Sequence, residues 1–187
     1  MNAETQSGET IGGAQGYILR PASNNDVAAL AELSQASFCA AFEHLYSAEN
    51  LATFLKQAYA SEVVASEIAD PAKTHQLAEG PEGLIGYCKM TQPGGFVEHS
   101  DALRPIALNQ LYTAPGLTGR GVGAALMDWA IAEARLRNCD AIQLSVWAEN
   151  HGAQRFYERY GFTKIADIDF WVGSHRDDEL LLELRLN

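Results

Sequence analysis

Three glycines stand at alternate positions ahead of an amphipathic run, in the segment Thr118-Gly-Arg-Gly-Val-Gly123. Because glycine costs conformational entropy where a helix begins, this concentration indicates a ligand that approaches the backbone closely. A glycine-rich turn that enters a helix offers successive amides and the positive end of the helix dipole to an anion. The segment therefore predicts an anion-binding loop, although a turn that simply leads into a core helix has the same pattern.

A dinucleotide is one candidate for the anion, since Gly119, Gly121 and Ala124 match the pattern G-x-G-x-x-[GA]. That fingerprint also needs an acidic residue about 20 positions later, at the carboxyl end of the next strand. Asp140 has this separation but precedes the next predicted strand, and Glu149 comes later and opens a helix. A nicotinamide-dependent oxidoreductase is therefore a weak alternative. A nucleoside triphosphate is excluded because no Gly-Lys-Ser/Thr follows the loop.

A second group of residues, Asn150, Ala153 and Tyr157, is spaced for one face of a helix. The small Ala153 leaves room for a ligand against that face. The alternative for Tyr157 is a core aromatic residue with a satisfied hydroxyl.

Both segments resemble signature motifs of the GNAT N-acetyltransferases. The glycine segment is similar to their acyl-CoA motif [QR]-x-x-G-x-[GA], with Thr118 in place of Gln or Arg. Residues 146–162, VWAENHGAQRFYERYGF, resemble the family segment V-x-x-x-N-x-x-A-x-x-F-Y-x-x-x-G-F. The resemblance covers nearly the whole chain from Tyr17. Residues 47–51 and 170–173 look most like the PaiA-type spermine/spermidine acetyltransferases.

The resemblance implies that acetyl-CoA is the cosubstrate of an N-acetyltransferase, or the ligand of a non-catalytic acyl-CoA sensor on the same fold. Tyr157 has the family's role of protonating the departing thiolate, and a backbone N–H near Leu111 or Tyr112 stabilises the oxyanion. The implied cofactor-binding residues are Leu111, Tyr112, Thr113, Thr118, Gly119, Arg120, Gly121, Val122, Gly123, Ala124, Asn150 and Ala153.

The implied reaction also needs a group that removes a proton from the amine. An alkyl ammonium with a pKa of about 10.4 is neutral only about once in a thousand near pH 7.4, which costs about 4 kcal/mol. Many relatives have Glu where this chain has Asn109, and Asn cannot take the proton. Glu43, His44, Glu98 and His99 are candidates because they lie in stretches expected on the acceptor side. Each is otherwise an ordinary surface residue.

The likeness to polyamine-acetylating proteins implies a small aliphatic di- or polyamine as the acceptor. The formal net charge of −11 favours such a polycation. Acidic residues in acceptor-side stretches point the same way, namely Glu43, Glu49, Glu98 and Asp101. A solvated acidic surface is the alternative explanation of the charge.

Periodicity predicts a mixed order of helices and strands with one strand–helix–strand unit at its centre. Helices are predicted after a cap at Asn24 or Asn25, after a cap at Ser47, and at residues 61–69, 121–137 and 151–160. Strands are predicted at residues 17–20, 75–78, 84–90, 106–113, 141–147, 162–171 and 180–186, with a polar loop at 173–179. The resemblance implies the GNAT fold, an α/β (α+β) arrangement with one mixed, mostly antiparallel, twisted sheet. That sheet has six to seven strands, is splayed at the centre and is flanked by helices on both faces.

Two of these segments carry side-chain predictions. Strict alternation in residues 106–113 puts Gln110 and Tyr112 on the same face as Ile106 and Leu108. Helical spacing in residues 121–137 predicts a buried face. Its members are Val122, Ala125, Leu126, Trp129 and Leu136.

The composition limits the class of protein. A chain of 187 residues suits one domain, predicted at residues 17–187 after a flexible tail at residues 1–16. The balance of 24 acidic against 13 basic residues opposes nucleic-acid binding. Five histidines without ligand spacing predict no metal site, and the apolar runs are too short to span a membrane. Three scattered cysteines and the lack of a signal-peptide pattern predict a cytoplasmic protein, and symmetric association is common enough to expect a homodimer.

Overall fold

The computed structural model describes residues 10–12 and 16–186, and the other residues of the predicted tail lie outside this part. The strands are β1 Thr10–Gly12, β2 Tyr17–Pro21, β3 Lys73–Gly80, β4 Gly83–Thr91, β5 Pro105–Thr113, β6 Ala141–Trp147, β7 Thr163–Val172 and β8 His175–Arg185. The helices are α1 Val27–Phe42, α2 Ala48–Tyr59, α3 Ser61–Ala69, α4 Val122–Leu136 and α5 His151–Arg159.

One mixed sheet runs in the order β1-β2-β3-β4-β5-β6-β8-β7, and every neighbouring pair is antiparallel except β5 and β6. These two parallel strands pair only through residues 105–107 and 141–143. Beyond this point their facing edges separate, which confirms the predicted splay. The sheet has eight strands rather than six or seven, because Thr10–Gly12, which we assigned to a flexible tail, pairs with β2.

Helices cover both faces of the sheet, as predicted. On one face, α4 packs Leu126 into a core that includes Ile106 and Ile142, and α5 lies on the same core. On the other face, α1 packs Leu30 against Tyr87 of β4. The side chains of the central strands therefore divide between an α4–α5 face and an α1–α2 face.

A bulge interrupts β5 at the point where it approaches the splay. The register with β4 shifts, so that Leu108 lies opposite Met90 while Gln110 lies opposite Lys89. Two steps along β5 correspond to one step along β4, which leaves Asn109 as the extra residue. A bulge of this kind bends the strand and changes which side chains follow on each face.

The bulge overturns the alternation predicted for β5. Leu111, not Tyr112, returns to the α4–α5 face together with Leu108. Tyr112 packs on the α1–α2 face, where its ring lies 5.8 Å from that of Tyr87. The prediction was wrong because an alternating pattern assumes an uninterrupted ladder.

Helix α4 begins at the glycine loop and packs against the centre of the sheet. Val122 and Leu126 are buried as predicted, together with Met127, Ala130 and Ala134, and Ala125 and Trp129 are half-buried. Leu136 is 77% exposed, which contradicts its predicted burial. It stands two residues after the buried Ala134, about 200° further around the helix, and therefore faces solvent.

Of the helix caps predicted from the sequence, one is confirmed and one is wrong. Ser47 accepts a hydrogen bond from the Asn50 amide at 3.2 Å, which confirms it as the N-cap of α2. The cap predicted at Asn24 or Asn25 was wrong. These residues lie in a 3₁₀ turn, and Ser23, which precedes the turn, forms a capping box with Asp26. The predicted polar loop at residues 173–179 is also shorter, since β8 already begins at His175.

Candidate active site

A cavity of about 790 Å³ lies where β5 and β6 separate. Residues 107–113 of β5 and 144–147 of β6 line it, together with parts of α1, α2, α5, β7 and β8. In the part of the chain that the structure describes, no Lys, Arg or His side chain lines this cavity. Because its lining comes from both faces of the sheet, the cavity connects the α4–α5 face with the α1–α2 face.

The predicted glycine loop lies beside this cavity, which Thr118 lines, and leads into α4. Gly119 and Gly121 have φ angles of +81° and +82°, in the left-handed region that favours glycine. No side chain caps the helix, and within the described residues the amides of residues 119–124 donate to no backbone oxygen. We call residues 119–124 the cradle. Its amides, the helix dipole and the exposed Arg120 suit a pyrophosphate.

The first turn of α4 adjoins the strand residues predicted to bind the cofactor. A Cβ added to Gly123 would lie 3.7 Å from Leu111 Cδ2 and 3.8 Å from Thr113 Cγ2. Leu111, Tyr112 and Thr113 line the cavity, and their edge toward β6 has no strand partner among the described residues. An extended chain with amide groups can pair with such an edge as an added strand. Val122 is buried in the core, so that only its backbone is available to a ligand.

The three residues predicted on α5 reach the cavity but have different environments. Asn150 is the N-cap of the helix, because its Oδ1 accepts a hydrogen bond from the Ala153 amide at 3.1 Å. Tyr157 is half-buried against the core, and within the described chain its hydroxyl has no hydrogen-bond partner. Burial raises the pKa of Tyr157, and Cys88 and Glu179 add to the shift. The phenol therefore stays protonated at neutral pH, in the form that can donate a proton.

The α1–α2 side of the cavity is formed by aromatic rings and carboxylates, which we call the acceptor wall. Its rings are Phe38, Phe42, Tyr46, Phe54, Tyr59, Trp147 and Phe170. Its carboxylates are Asp169, Asp177 and Glu179. The contributions come from α1, α2, β6, β7, β8 and the α1–α2 connection, so that only the tertiary fold brings these side chains together.

Two of the three carboxylates already have protein partners. Asp177 accepts a hydrogen bond from the Tyr46 hydroxyl at 2.6 Å and lies 3.2 Å from His175 Nε2. Asp169 accepts a hydrogen bond from Arg176 at 2.5 Å and is about half exposed. The negative charges of Asp169 and Asp177 contribute to the electrostatic potential of the cavity, but side chains of the protein already donate hydrogen bonds to both carboxylates.

Among the described residues, no cationic side chain pairs with Glu179, the third carboxylate of the acceptor wall. It lies opposite Trp147 in the β6–β8 ladder, and its Oε2 is buried without a hydrogen-bond partner in the described chain. Burial raises the pKa of Glu179, and the negative charge of Asp177 raises it further. A hydrogen bond from the Ser145 hydroxyl lowers the pKa, but the pKa remains above its usual value. A perturbed, unpartnered carboxylate in a cleft is typical of functional sites.

The residues considered as the general base do not form this site. Glu43, His44, Glu98 and His99 do not line the cavity. Asn109 does line it, and its Oδ1 accepts a hydrogen bond from the hydroxyl of a neighbouring threonine at 2.6 Å. An amide in this position can orient a ligand, but it cannot take a proton from an ammonium group.

Sequence reasoning missed Asp177 and Glu179 because the segment before residue 180 is rich in polar residues and was assigned to a loop. The signal that could have found them is their spacing of two. Asp177, Glu179 and Leu181 share one strand face, while Leu180 and Leu182 share the other.

Comparisons with known proteins agree with this geometry. The profile of the acetyltransferase (GNAT) family matches residues 27–162, and the chain belongs to this family. An uncharacterised N-acetyltransferase from the pepI 3′ region of Lactobacillus delbrueckii subsp. lactis is 25% identical over 88% of this chain and 94% of its own length. The chain is therefore an N-acetyltransferase of the GNAT family, the class of enzymes whose cosubstrate is acetyl-CoA.

Solved structures share the fold. The PaiA N-acetyltransferase of Thermoplasma acidophilum, in complex with coenzyme A, has a TM-score of 0.75 at 20% identity, over 91% of this chain and 99% of that one. YncA of Salmonella typhimurium, a putative acetyltransferase with its cofactor acetyl-CoA, has a TM-score of 0.61 at 18% identity, over 92% and 95%.

The dinucleotide alternative does not survive these observations. The Asp140 carboxylate accepts hydrogen bonds from the amides of Leu103 and Arg104 at 2.6 and 2.9 Å. It precedes β6 and ties a loop to the amino end of that strand, away from the carboxyl end where a ribose would bind. Its role is structural.

Among the described residues, no three His, Cys, Asp or Glu side chains gather where they could hold a metal ion. The helices of this part of the chain include none that is both long and apolar enough to cross a membrane.

Proposed function

We propose that this N-acetyltransferase acts on a primary amine of a small cationic acceptor, and that di- and polyamines are its preferred substrates. The observation that carries the proposal is the acceptor wall, in which three carboxylates and seven aromatic rings line a cavity without a basic side chain among the described residues. Carboxylates attract an ammonium group, and aromatic faces bind it by cation–π interaction.

A polyamine suits this arrangement better than a monoamine does. Asp169 is half exposed and lies in the same lining as Glu179, whose Oε2 is buried. One ammonium group can thus approach the reaction site while a distal one lies near Asp169 and its exposed surroundings. The formal net charge of −11 adds a long-range attraction for a polycation.

Acetyl-CoA supplies a thioester whose carbonyl carbon is attacked by the amine. We infer that the cradle amides hold its pyrophosphate, and that the free edge at residues 111–113 holds the pantetheine arm. The face formed by Asn150 and Ala153 borders that arm. A backbone N–H near Leu111 or Tyr112 stabilises the oxyanion, and the Tyr157 hydroxyl donates a proton to the departing sulfur.

The acceptor is tested by comparing kcat/KM for spermidine and butylamine across ionic strengths. These amines share a four-carbon aminobutyl segment, and only spermidine carries distal positive charges. We expect spermidine to be preferred by about tenfold or more at low salt, with a KM that rises as salt screens the carboxylates. Equal kcat/KM values that do not depend on ionic strength would remove electrostatic selection of a polycation.

Two expectations concern the cellular compartment and the oligomeric state of the enzyme. The three cysteines are free thiols in the structure, which suits a reducing compartment such as the cytoplasm. We also expect a homodimer, and sedimentation at micromolar concentration tests it.

A further inference from the structure

An ammonium acceptor must lose a proton before its nitrogen can attack a carbonyl carbon. Near neutral pH about one alkyl amine in a thousand is already neutral, so that a nearby proton acceptor removes a large part of the barrier. The two amide side chains of β5 in the cavity, Asn109 and Gln110, cannot take this proton. No imidazole lines the cavity in the described part of the chain, which leaves its three carboxylates.

Partners and burial distinguish these carboxylates. Asp177 is held by Tyr46 and His175, and Asp169 is held by Arg176 at the exposed rim. Glu179 has no salt bridge within the described chain, the Ser145 hydroxyl is its neutral neighbour, and its buried Oε2 has no hydrogen-bond partner there. A buried carboxylate oxygen without a donor is costly, and a ligand ammonium is the kind of donor that would satisfy it.

We propose that Glu179 is the general base of the acetyl transfer and takes the proton from the reacting ammonium group of the acceptor. This inference rests on the proposed cationic amine acceptor, but not on whether that amine is a polyamine. The side chain is placed for this role by β8, where residue 179 lies opposite Trp147 and beside the splay.

The proton balance of the step is as follows. An ammonium proton passes to a carboxylate oxygen of Glu179, and the freed nitrogen lone pair forms the N–C bond to the acetyl group. The C–S bond breaks, and the electron pair leaves with the sulfur, which takes the proton of the Tyr157 hydroxyl. The second proton lost from nitrogen restores the Tyr157 hydroxyl, and the proton on Glu179 passes to water.

The charged and titratable groups around Glu179 favour the transfer of a proton from the ammonium group to its carboxylate. Asp177 acts from its own strand, Tyr46 from the α1–α2 connection, Tyr112 from β5 and Tyr157 from α5. These groups are an acid and three phenols, so no cation of the described chain competes with the substrate for Glu179. Burial and Asp177 raise the pKa of Glu179, which makes it a better proton acceptor than an exposed carboxylate.

The test compares wild type, Glu179→Gln and Asp178→Asn across pH, with CoA binding measured by calorimetry. Asp178 is a matched control because it is adjacent on β8 but exposed and paired with Arg176, outside the cavity lining. We expect Glu179→Gln to lower kcat by about 10²-fold or more while CoA affinity changes less than twofold, and Asp178→Asn to remain within twofold of wild type.

The shape of the pH profile separates a base from a mere cation-binding group. Wild-type kcat/KM should rise as Glu179 ionises and then level off below the pKa of the amine. In Glu179→Gln it should keep rising about tenfold per pH unit, because only the neutral amine reacts. With trifluoroethylamine, whose ammonium is far more acidic than that of ethylamine, the effect of the substitution should nearly disappear.

The outcomes distinguish this inference from the proposed function. Wild-type protein that releases no thiol with any amine would overturn both. If wild type acetylates an amine and Glu179→Gln has the same kcat and pH profile, only the assignment of Glu179 as the base is overturned. The same holds if Glu179→Gln raises KM for the amine but leaves the pH profile unchanged.

Discussion

The Tyr46 hydroxyl donates a hydrogen bond to the Asp177 carboxylate at 2.6 Å, although 131 positions separate the two residues in the chain. This contact joins the α1–α2 connection to β8 across the cavity. Burial and Asp177 raise the pKa of Tyr46. The phenol thus remains a donor at neutral pH and binds Asp177, whereas Oε2 of Glu179, two residues later, has no donor in the described chain.

Tyr46→Phe should reduce the free energy of unfolding by about 2 kcal/mol, because the hydrogen bond goes to a charged group and leaves a buried carboxylate oxygen unpaired. Urea denaturation of wild type, Tyr46→Phe, Asp177→Asn and the double variant measures the coupling energy between the two side chains. A coupling energy near zero would show that the contact contributes nothing to stability.

Gly119→Val should weaken CoA binding by about tenfold or more. An added Cβ at this position meets no protein atom within 4 Å, so the protein leaves room for the side chain, and we expect it to compete with the phosphates for the space at the cradle. The φ of +81° also costs about 1–2 kcal/mol of stability in a non-glycine residue.

Gly83→Val is the matched control for that strain. Gly83 has a φ of +123° and equally open surroundings, but it is the first residue of β4, next to the β3–β4 turn. Calorimetry should show wild-type CoA affinity for this variant. If Gly119→Val also bound CoA with wild-type affinity, the phosphates would not lie on the cradle.

Tyr157→Phe should lower kcat by about 10²-fold with little change in KM for acetyl-CoA, as expected for the loss of a proton donor. Burial keeps the phenol protonated, so that its loss should not introduce a new ionisation in the neutral range. Steady-state kinetics with Tyr160→Phe as the control checks this, since Tyr160 directs its hydroxyl to the Ala124 carbonyl at 3.3 Å, outside the cavity lining. An unchanged kcat in Tyr157→Phe would exclude rate-limiting proton donation by this residue.

A buried charge cluster beneath α3 should make stability depend on pH. Glu67 accepts hydrogen bonds from Lys89 at 2.9 Å and from Lys73 at 3.0 Å. Burial raises the pKa of Glu67, but hydrogen bonds and charges from His75, Lys89 and Lys73 outweigh it and lower the pKa to about 2. The folded pKa lies below the unfolded value of about 4.3, so the stabilisation is fully present above that value and is lost as pH falls toward 2.

Glu67→Gln should therefore cost about 3 kcal/mol at pH 7, because it leaves Lys89 buried without its partner. The difference from wild type should shrink at pH 3, where the wild-type protein has lost part of the same stabilisation. Glu62→Gln, an exposed change on the same helix, should leave the unfolding midpoint nearly unchanged. A pH-independent difference would mean that Glu67 does not ionise as described.

Local patterns predicted the elements that carry the CoA side of the site. The strand at residues 141–147, the glycine loop and the α5 face are each defined by neighbouring residues, and the bounds of β6 were confirmed without change. Gly161 follows α5 with a φ of +89°, the conformation that glycine commonly supplies at the C′ position of a helix. These features depend on propensity, capping and periodicity, which act over a few residues.

The acceptor wall could not be predicted in the same way. Its side chains come from distant elements, and the pairing of β6 with β8 alone decides that Glu179 faces Trp147. The bulge at Asn109 is equally hidden, because it depends on how β4 and β5 fit together. Candidates such as His44 and His99 were chosen because their stretches were expected on the acceptor side, but the position of a stretch in the chain does not determine which of its side chains reach the cavity.

The most direct test of the account is the rate of thiol release from acetyl-CoA by the purified chain, with and without spermidine. We predict release that depends on the amine, saturates with its concentration and yields acetylated spermidine. Tight CoA binding without amine-dependent release, for spermidine and for every other amine tested, would contradict the account and identify the chain as an acyl-CoA sensor instead.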